Sequence, residues 1–450
     1  MIEAFRLIRF RGFEDTNWIE LRPLTLFFGH NSSGKSSLLA GLLMLRQSVL
    51  NPDRSTPFVF TSDLGVDLGS YEDLVFGHHY DPRRPLSLSL RLRFDEPFLG
   101  WTRPIREVLL RFQVGYDKSR KVAYLLAAGI FDTEERKLLE VTRRRPSSDW
   151  QLGSDIFSPD QFPEVQEITW EHFLPLPAAG SRAHKSVSEL CQQVAQQVDT
   201  DFRSIVYIGP LRTEPERVYY FTGESVAEVG RRGENTFKLL AAIQYQGRQG
   251  ELDQHLNWWL ERLGYRLDVR LFKNSPLLQI GVRDRDGEGG GQVYNLKDVG
   301  FGLSQVLPVL AQCYAGSTHR TLLLEQPELH LHPRAQADLG DLLIDALSRR
   351  HQFLIETHSE HLLLRLRRRI AETTVKPGSE VEHKLQRDQL GVYFVKRQDG
   401  RSLIKSVAVN EVGQIPEPPE GFRRFFSDDY DEMMAIAEMM TAHAQQKQDS

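Results

Sequence analysis

Cysteine is nearly absent. Cys191 and Cys313 are the two in 450 residues, too few for a disulfide framework and in keeping with a reducing compartment. Long apolar runs are missing as well: none approaches the roughly 20 residues that a bilayer-spanning helix needs. Met1-Ile2-Glu3-Ala4-Phe5-Arg6 carries charge too early for a secretory leader, so a cytoplasmic protein with no membrane partner is expected. Charge of one sign is not in large excess. The formal net charge is −5, so no global field draws the chain to nucleic acid and any such contact needs a local patch. No internal repeat and no sustained heptads occur, which argues against a solenoid and a long coiled coil. What is present, 40% hydrophobic residues over this length, suffices for one large domain or two ordinary ones.

Gly29-His30-Asn31-Ser32-Ser33-Gly34-Lys35-Ser36 fits the pattern G-x-x-x-x-G-K-[ST]. The apolar run 24–28 leads in as a buried strand, and 37–45 leads out as a helix. Glycines let backbone N–H groups turn inward as an anion nest, and the helix N-terminus adds partial positive charge. Gly29, Asn31, Ser32, Ser33, Gly34, Lys35, Ser36 and Ser37 are therefore the expected phosphate site. Lys35 would reach the β- and γ-phosphates of ATP, and the Ser36 hydroxyl would ligate Mg²⁺.

Residues 7–10 and 18–21 read as strands on either side of Arg11-Gly12-Phe13-Glu14-Asp15. Between 85 and 141 the pattern changes: Leu86-Ser87-Leu88-Ser89-Leu90-Arg91-Leu92 alternates, and Leu110-Arg111-Phe112-Gln113-Val114 does the same. Half-exposed antiparallel strands are expected there. Residues 146–180, rich in Pro, Ser and acids, read as loop. Helices are expected near 187–198 and 235–263, a strand pair at 267–272 and 277–282, a hairpin around Gln398-Asp399-Gly400, and an amphipathic helix near 431–444.

A P-loop strand needs a partner strand that carries an acid to hold Mg²⁺ beside the P-loop serine. Leu322-Leu323-Leu324-Glu325 fits, its apolar run being what a strand covered on both faces requires. Glu325 and Ser36 are the expected metal residues. Hydrolysis also needs a group that orients or deprotonates water. Gln326 cannot be a base, and the nearest carboxylate is Glu328. His358, at the end of the apolar strand Phe353-Leu354-Ile355, could bond the γ-phosphate or the attacking water. The expected catalytic residues are thus Glu328, His358 and Lys35. His330 and His332 read as hydrogen-bonding groups on a turn rather than as metal ligands. Asp298-Val299-Gly300-Phe301-Gly302-Leu303-Ser304-Gln305 opens a helix with exposed amides and a hydroxyl, a second phosphate-binding surface. Gly302 and Ser304 would use it in trans, on the nucleotide of another subunit.

Together these blocks resemble the ABC class of P-loop ATPases, in its SMC, RecF and OLD-like branch rather than among membrane transporters. Ile8-Arg9-Phe10-Arg11-Gly12-Phe13-Glu14-Asp15 is similar to that branch's N-terminal strand-turn. Gly29-His30-Asn31-Ser32-Ser33-Gly34-Lys35-Ser36-Ser37 resembles its Walker A, and Glu325-Gln326-Pro327-Glu328-Leu329-His330-Leu331-His332-Pro333 the E-[EQ]-P-E-x-H-L-H-P block. Thr357-His358-Ser359 is similar to its switch-histidine motif, and Asp298 to Gln305 occupy the signature position. Tyr207-Ile208-Gly209-Pro210-Leu211-Arg212, Gly233-Glu234-Asn235-Thr236 and Pro419-Glu420-Gly421-Phe422 look like segments of stand-alone members.

The resemblance implies an α/β fold: a P-loop ABC-type head with mixed parallel and antiparallel sheets, an α+β insertion and a small C-terminal α+β tail. The head would comprise 1–80 and 292–372, with an inserted β-rich then helical lobe at 81–291 and a tail at 373–450. It implies a head-to-tail dimer, or a higher oligomer, with two ATPs between Walker A and the opposing signature, and Arg11 and Phe13 near the base or phosphate edge. Bacterial relatives act in phage defence or in DNA repair, often with a nuclease encoded alongside. The expected function is an ATP-hydrolysing dimer that controls a partner effector such as a nuclease. The alternatives are an ATP-gated DNA-binding repair clamp and a non-hydrolysing regulatory scaffold.

Two departures stand out. The signature reads Gly-Phe-Gly-Leu-Ser-Gln, and Gln326 stands where many ABC ATPases place a catalytic glutamate, so hydrolysis would rest on Glu328 or be slow. No clear Q-loop is present, although Gln47 is available. About ninety residues follow Thr357-His358-Ser359, short for the Toprim nuclease domain of OLD-like nucleases. Ser427-Asp428-Asp429-Tyr430-Asp431-Glu432 reads as acids at a helix start rather than a nuclease metal site. Arg143-Arg144-Arg145 and Arg365-Leu366-Arg367-Arg368-Arg369 could contact DNA phosphates or be spent on ion pairs within the chain.

Overall fold

The computed structural model describes residues 1–62, 65–100, 104–144, 149–156, 167–181, 183–224, 226–245, 253–284, 292–315, 317–376 and 381–426. Arg145, the acidic stretch from Ser427 and the helix expected near 431–444 lie outside them.

The chain opens with β1 (Ile2–Phe10), β2 (Phe13–Asp15), β3 (Ile19–Glu20) and β4 (Leu24–Phe28), followed by the helix Lys35–Val49. Next come β5 (Leu86–Phe98), β6 (Ile105–Asp117), β7 (Val122–Phe131), β8 (Lys137–Thr142), β9 (Gln151–Gly153), β10 (Ile168–Glu171) and β11 (Leu174–Pro177). The helix Lys185–Ser204 leads into β12 (Ile205–Ile208) and β13 (Tyr219–Tyr220). After the helix Thr236–Tyr245 come β14 (Tyr265–Leu271), β15 (Leu277–Asp284) and β16 (Val293–Asn295). The helix Phe301–Ala315, β17 (Thr321–Glu325), the helix Pro333–Ala346, β18 (Gln352–Glu356), the helix Glu360–Val375, β19 (Leu390–Gln398) and β20 (Arg401–Ser406) complete the order.

Six strands form the sheet that matters most, in the order β12-β17-β18-β4-β19-β20. The first five run parallel, and β20 turns back antiparallel on β19. The apolar runs of β4, β17 and β18 are explained by what covers them. Alternate side chains go to opposite faces. Phe27, Leu323, Leu354 and Tyr207 pack with the helix Lys35–Val49. Leu26, Leu322, Leu324, Phe353 and Ile355 pack on the other face with the helices Phe301–Ala315, Pro333–Ala346 and Glu360–Val375. β12 comes from the segment expected to be an inserted lobe and β19–β20 from the expected tail, yet both complete this sheet.

A second sheet runs β2-β1-β5-β6-β7-β8-β9, with β3 also on β1. Its central strands are less exposed than the alternation suggested, since Ser87 and Ser89 of β5 are buried. Ser89 lies between Arg6 and Arg111, and Ser87 pairs across to Gln113. Small hydroxyls on a central strand lie beneath the long side chains of both neighbours. Within 146–180, read as loop, β9 and the antiparallel pair β10–β11 form. Four-residue strands that include Pro175 and Pro177 leave little pattern to read. The pair expected at 267–272 and 277–282 is β14–β15, and the hairpin at Asp399-Gly400 joins β19 to β20.

His351 ties the start of β18 to its neighbours. Its Nδ1 accepts from the Arg320 N–H at 3.2 Å, so its Nε2–H donates to the Cys313 carbonyl at 3.1 Å. The imidazole is 3% exposed, and burial pushes its pKa down to about 4. The folded ring therefore stays neutral where the unfolded one, near 6.5, takes a proton. Stability from this group is full above pH 6.5 and is lost as pH falls toward 4, by up to about 3 kcal/mol. His351→Gln should be less stable than wild type at pH 7, with the gap shrinking by pH 4.5 in urea denaturation; an equal gap at both pH values overturns this role.

Asp341, fully buried, takes Arg365 and Arg369, the latter at 2.7 Å. Asp341→Ala leaves Arg365 with Asp338 and Arg369 with Glu372 but removes the buried carboxylate that joins them, and a loss of about 3 kcal/mol is expected in the same measurement.

Candidate active site

β4 ends at Phe28, and the chain turns through 29–34 into the helix Lys35–Val49. Gly34 caps that helix at φ 110°. A Cβ there would meet Ser402 Oγ at 2.7 Å and the Phe13 ring at 3.1 Å. The turn expected near the nucleotide, Arg11-Gly12-Phe13, thus abuts the P-loop through Phe13, while Ser402 N–H donates to the Gly12 carbonyl at 2.8 Å. Arg11 itself lies by Asp73, and burial lowers its pKa. Asn31, Ser32 and Ser36 are exposed, whereas Ser33 is buried and its Oγ has no partner among the described residues.

Lys35 is 3% exposed. Its ammonium donates to the Gly29 carbonyl at 2.7 Å and the His30 carbonyl at 3.0 Å, folded back over the turn. Glu356 Oε1 stands 3.7 Å from Nζ. Burial lowers the Lys35 pKa, opposed by Glu356, Glu328 and Glu325. Ser36 Oγ donates to Glu356 Oε2 at 2.7 Å.

Sequence reasoning put Glu325 beside Ser36. Glu356 occupies that place because β18, not β17, pairs with β4: Glu356 is in register with Phe27, and Glu325 with Glu356. Glu325 stands one strand further out. It accepts from the Tyr207 hydroxyl at 2.9 Å. Burial and then the Glu356 charge push its pKa up to about 7, against Tyr207, Arg231 and Lys35. Glu356 and Tyr207 were missed as site residues. The available signal was two apolar strands that each end in glutamate, the second directly before Thr357-His358.

Two carboxylates and a hydroxyl are hard oxygen donors, and a dication relieves the repulsion between the carboxylates, so these residues fit Mg²⁺. No group of three or more His, Cys, Asp or Glu in metal-binding array occurs among the described residues. Mg²⁺ commonly uses one or two carboxylates and completes its shell with water and phosphate.

Glu328 is 6% exposed. It accepts from the His358 N–H at 2.8 Å, and burial raises its pKa against His358, Thr357 and Arg212. Gln326, at φ 45°, donates its N–H to the Glu356 carbonyl at 2.7 Å. That bond carries the Glu325–Glu328 turn across the end of β18. His358 Nε2 is buried without a partner among the described residues. Burial, Lys35 and His30 push the ring to about 4, so it is neutral near pH 7. The Phe425 ring lies 5.1 Å from His30 and 5.9 Å from His358, so the chain near 425 covers this end of the site. His332 caps the helix Pro333–Ala346 by accepting from the Arg334 N–H at 3.3 Å.

Gly302 and Ser304 are not grouped with the P-loop residues. A Cβ on Gly302 would meet the His330 carbonyl at 2.7 Å, and Leu303 packs on the sheet face opposite the helix Lys35–Val49. Buried Arg212 donates to the carbonyls of Gln305 and Glu325, each at 3.1 Å. One guanidinium thus joins the Phe301–Ala315 helix to the end of β17. Gln47 is not near phosphate. Its amide donates to the Val59 carbonyl at 2.6 Å and accepts from the Val66 N–H at 3.0 Å, holding the loop beyond the helix's far end.

The arginine clusters are largely engaged. Arg365 pairs with Asp338 and Asp341, Arg367 with the Gly413 carbonyl, Arg368 with Glu372, and Arg369 with Asp341 and Glu372. Arg143 stacks on Trp150 at 4.3 Å and donates to the Leu125 carbonyl.

A family model described as "AAA domain, putative AbiEii toxin, Type IV TA system" matches residues 225–365, a stretch that holds Ser304, Glu325, Glu328 and His358 but not the P-loop. Among solved structures, an SMC head bound to the C-winged helix domain of ScpA is 14% identical, with TM-score 0.43, 91% of this chain covered and 98% of that one. The SMC head domain from Thermotoga maritima is 12% identical, with TM-score 0.40 and coverages of 90% and 98%. An SMC head with an extended coiled coil, bound to the C-terminal domain of ScpA derived from Pyrococcus furiosus, is 12% identical, with TM-score 0.43 and coverages of 90% and 96%. Likenesses this distant carry no argument about function. No curated protein matches the chain. The chain thus carries an AAA-domain match over 225–365 and, outside that stretch, a P-loop turn whose lysine and serine face Glu356.

Proposed function

We propose that the protein binds and hydrolyses ATP, closes head to tail on a second copy of itself around the nucleotide, and controls a partner effector such as a nuclease in phage defence or DNA maintenance. The observation that carries the reading is one convergence. At the ends of three adjacent parallel strands stand the P-loop amine and hydroxyl, two carboxylates, and the Glu328–His358 pair.

In this reading the amides of 29–34 and Lys35 hold the β- and γ-phosphates. Ser36, Glu325 and Glu356 hold Mg²⁺, which when bound draws charge from the phosphate oxygens. Lys35 exchanges its bonds to the Gly29 and His30 carbonyls for phosphate. His358, neutral with Nε2 unpartnered, bonds the γ-phosphate or the attacking water. Glu328 accepts the water's proton; burial raises the pKa of its carboxyl, which strengthens it as a base. The 300–305 segment of the second copy supplies backbone amides to the γ-phosphate; Ser304, expected to present its hydroxyl there, is buried within its own chain. Arg212, joining that segment to the Glu325 carbonyl, relays closure to the catalytic turn.

The effector role rests on the resemblance. A DNA clamp is less favoured, because Arg365, Arg367, Arg368 and Arg369 already have partners within the chain.

Lys35→Ala should weaken ATP binding by about 10- to 100-fold in calorimetry, the loss of a charge-assisted contact; unchanged affinity overturns the P-loop reading. Glu328→Gln should retain ATP affinity while turnover falls about 10²- to 10⁴-fold, and unaltered turnover removes Glu328 as the base. With ATP and Mg²⁺, that variant should sediment at twice the monomer mass, and a species of monomer mass at saturating ATP overturns the dimer.

A further inference from the structure

Glu356 has a place that strand packing alone does not explain. It is 6% exposed at the end of a central strand, and burying a carboxylate costs several kcal/mol unless it is well paired. Its pairing is partial. Ser36 supplies one hydroxyl hydrogen bond, and Lys35, at 3.7 Å, is already committed to two backbone carbonyls. Beside it, in register, stands Glu325, whose own environment is made unfavourable by the Glu356 charge. Around the P-loop the charges are therefore Lys35 and Arg231 against Glu356, Glu328 and Glu325. A triphosphate brings more negative charge to the same spot.

We infer that Glu356 is the second carboxylate of the Mg²⁺ site and, in the absence of the cation, the group that bars the triphosphate. This rests on the P-loop reading above. The Ser36–Glu356 hydrogen bond ties the P-loop hydroxyl to a carboxylate that stands 3.7 Å from the Lys35 ammonium. Ser36, Glu325 and Glu356 would hold the cation, whose charge would offset the carboxylates' repulsion of phosphate, and Lys35 would exchange its carbonyl partners for phosphate. ATP without its cation meets the Glu356 and Glu325 carboxylates with no dication between them and the phosphates. The protein thus admits the metal complex of the nucleotide and rejects the free anion.

The test is ATP binding by calorimetry to the full chain, with Mg²⁺ and with EDTA, and Mn²⁺ binding by electron paramagnetic resonance without nucleotide. Wild type should bind ATP at least about 100-fold more weakly in EDTA. Glu356→Gln keeps the size and the acceptor for Ser36 but loses the charge. It should bind metal-free ATP about tenfold or more tightly than wild type and MgATP more weakly, collapsing the ratio, and its Mn²⁺ affinity should fall. Glu356→Asp, which keeps the charge but withdraws it, should still exclude metal-free ATP while binding MgATP and Mn²⁺ less tightly. A Mg²⁺-to-EDTA ratio in Glu356→Gln equal to that of wild type overturns the inference while leaving the P-loop reading intact. Failure of wild type to bind MgATP, or equal binding by Lys35→Ala, overturns both.

Discussion

The parallel pairing of β17, β18 and β4 is the constraint on which the site depends. Parallel strands bring their C-terminal ends to one edge of the sheet, and the register fixes which residues meet there. Because Glu325 faces Glu356 and Glu356 faces Phe27, both carboxylates emerge toward the helix that carries Lys35 and Ser36. A one-residue slip in β18 would turn Glu356 to the other face and leave Ser36 without its acceptor. The apolar side chains packed on each face make that slip costly, so packing far from phosphate holds the chemical geometry.

Much of the head was legible because buried parallel strands leave uninterrupted apolar runs, and each of 24–28, 321–325 and 352–356 has one. The P-loop was legible for the same reason: strand, glycine turn and helix follow one another without a gap. What could not be read was order across the sheet. Nothing in Leu322-Leu323-Leu324-Glu325 says that another strand intervenes before β4, so the sequence points to Glu325 while the Ser36 hydroxyl meets Glu356. Tyr207 and Arg212 reach Glu325 across more than a hundred residues, and no local pattern announces such pairing. The arginine cluster near 367 was legible as charge but not as ion pairs, since its acids, Asp338 and Asp341, lie on another helix.

The segments that looked peripheral are built into the centre. β12 gives Tyr207 to Glu325, and the loop after it gives Arg212. β20 gives Ser402 to the back of the P-loop, and the chain near Phe425 lies over His30 and His358. The turn 29–36 is therefore bordered by residues from both ends of the described chain, Phe13, Glu356, Ser402 and Phe425. Arg212 is notable among them, because it spans two backbone segments at once. Movement of the Phe301–Ala315 helix has to be felt at the Glu325 carbonyl, or that guanidinium must let go of one of them.

The position of β4 has a consequence for synthesis. Both of its hydrogen-bonding edges are filled by strands translated far later, β18 on one side and β19 on the other, and Ser36 meets its acceptor 320 residues downstream. Throughout most of elongation an apolar five-residue strand waits with two open edges, the configuration most prone to pairing with a neighbouring nascent chain. Ribosomes moving along one message would carry many such strands side by side, so this polypeptide should lean on holding chaperones until β18 and β19 emerge.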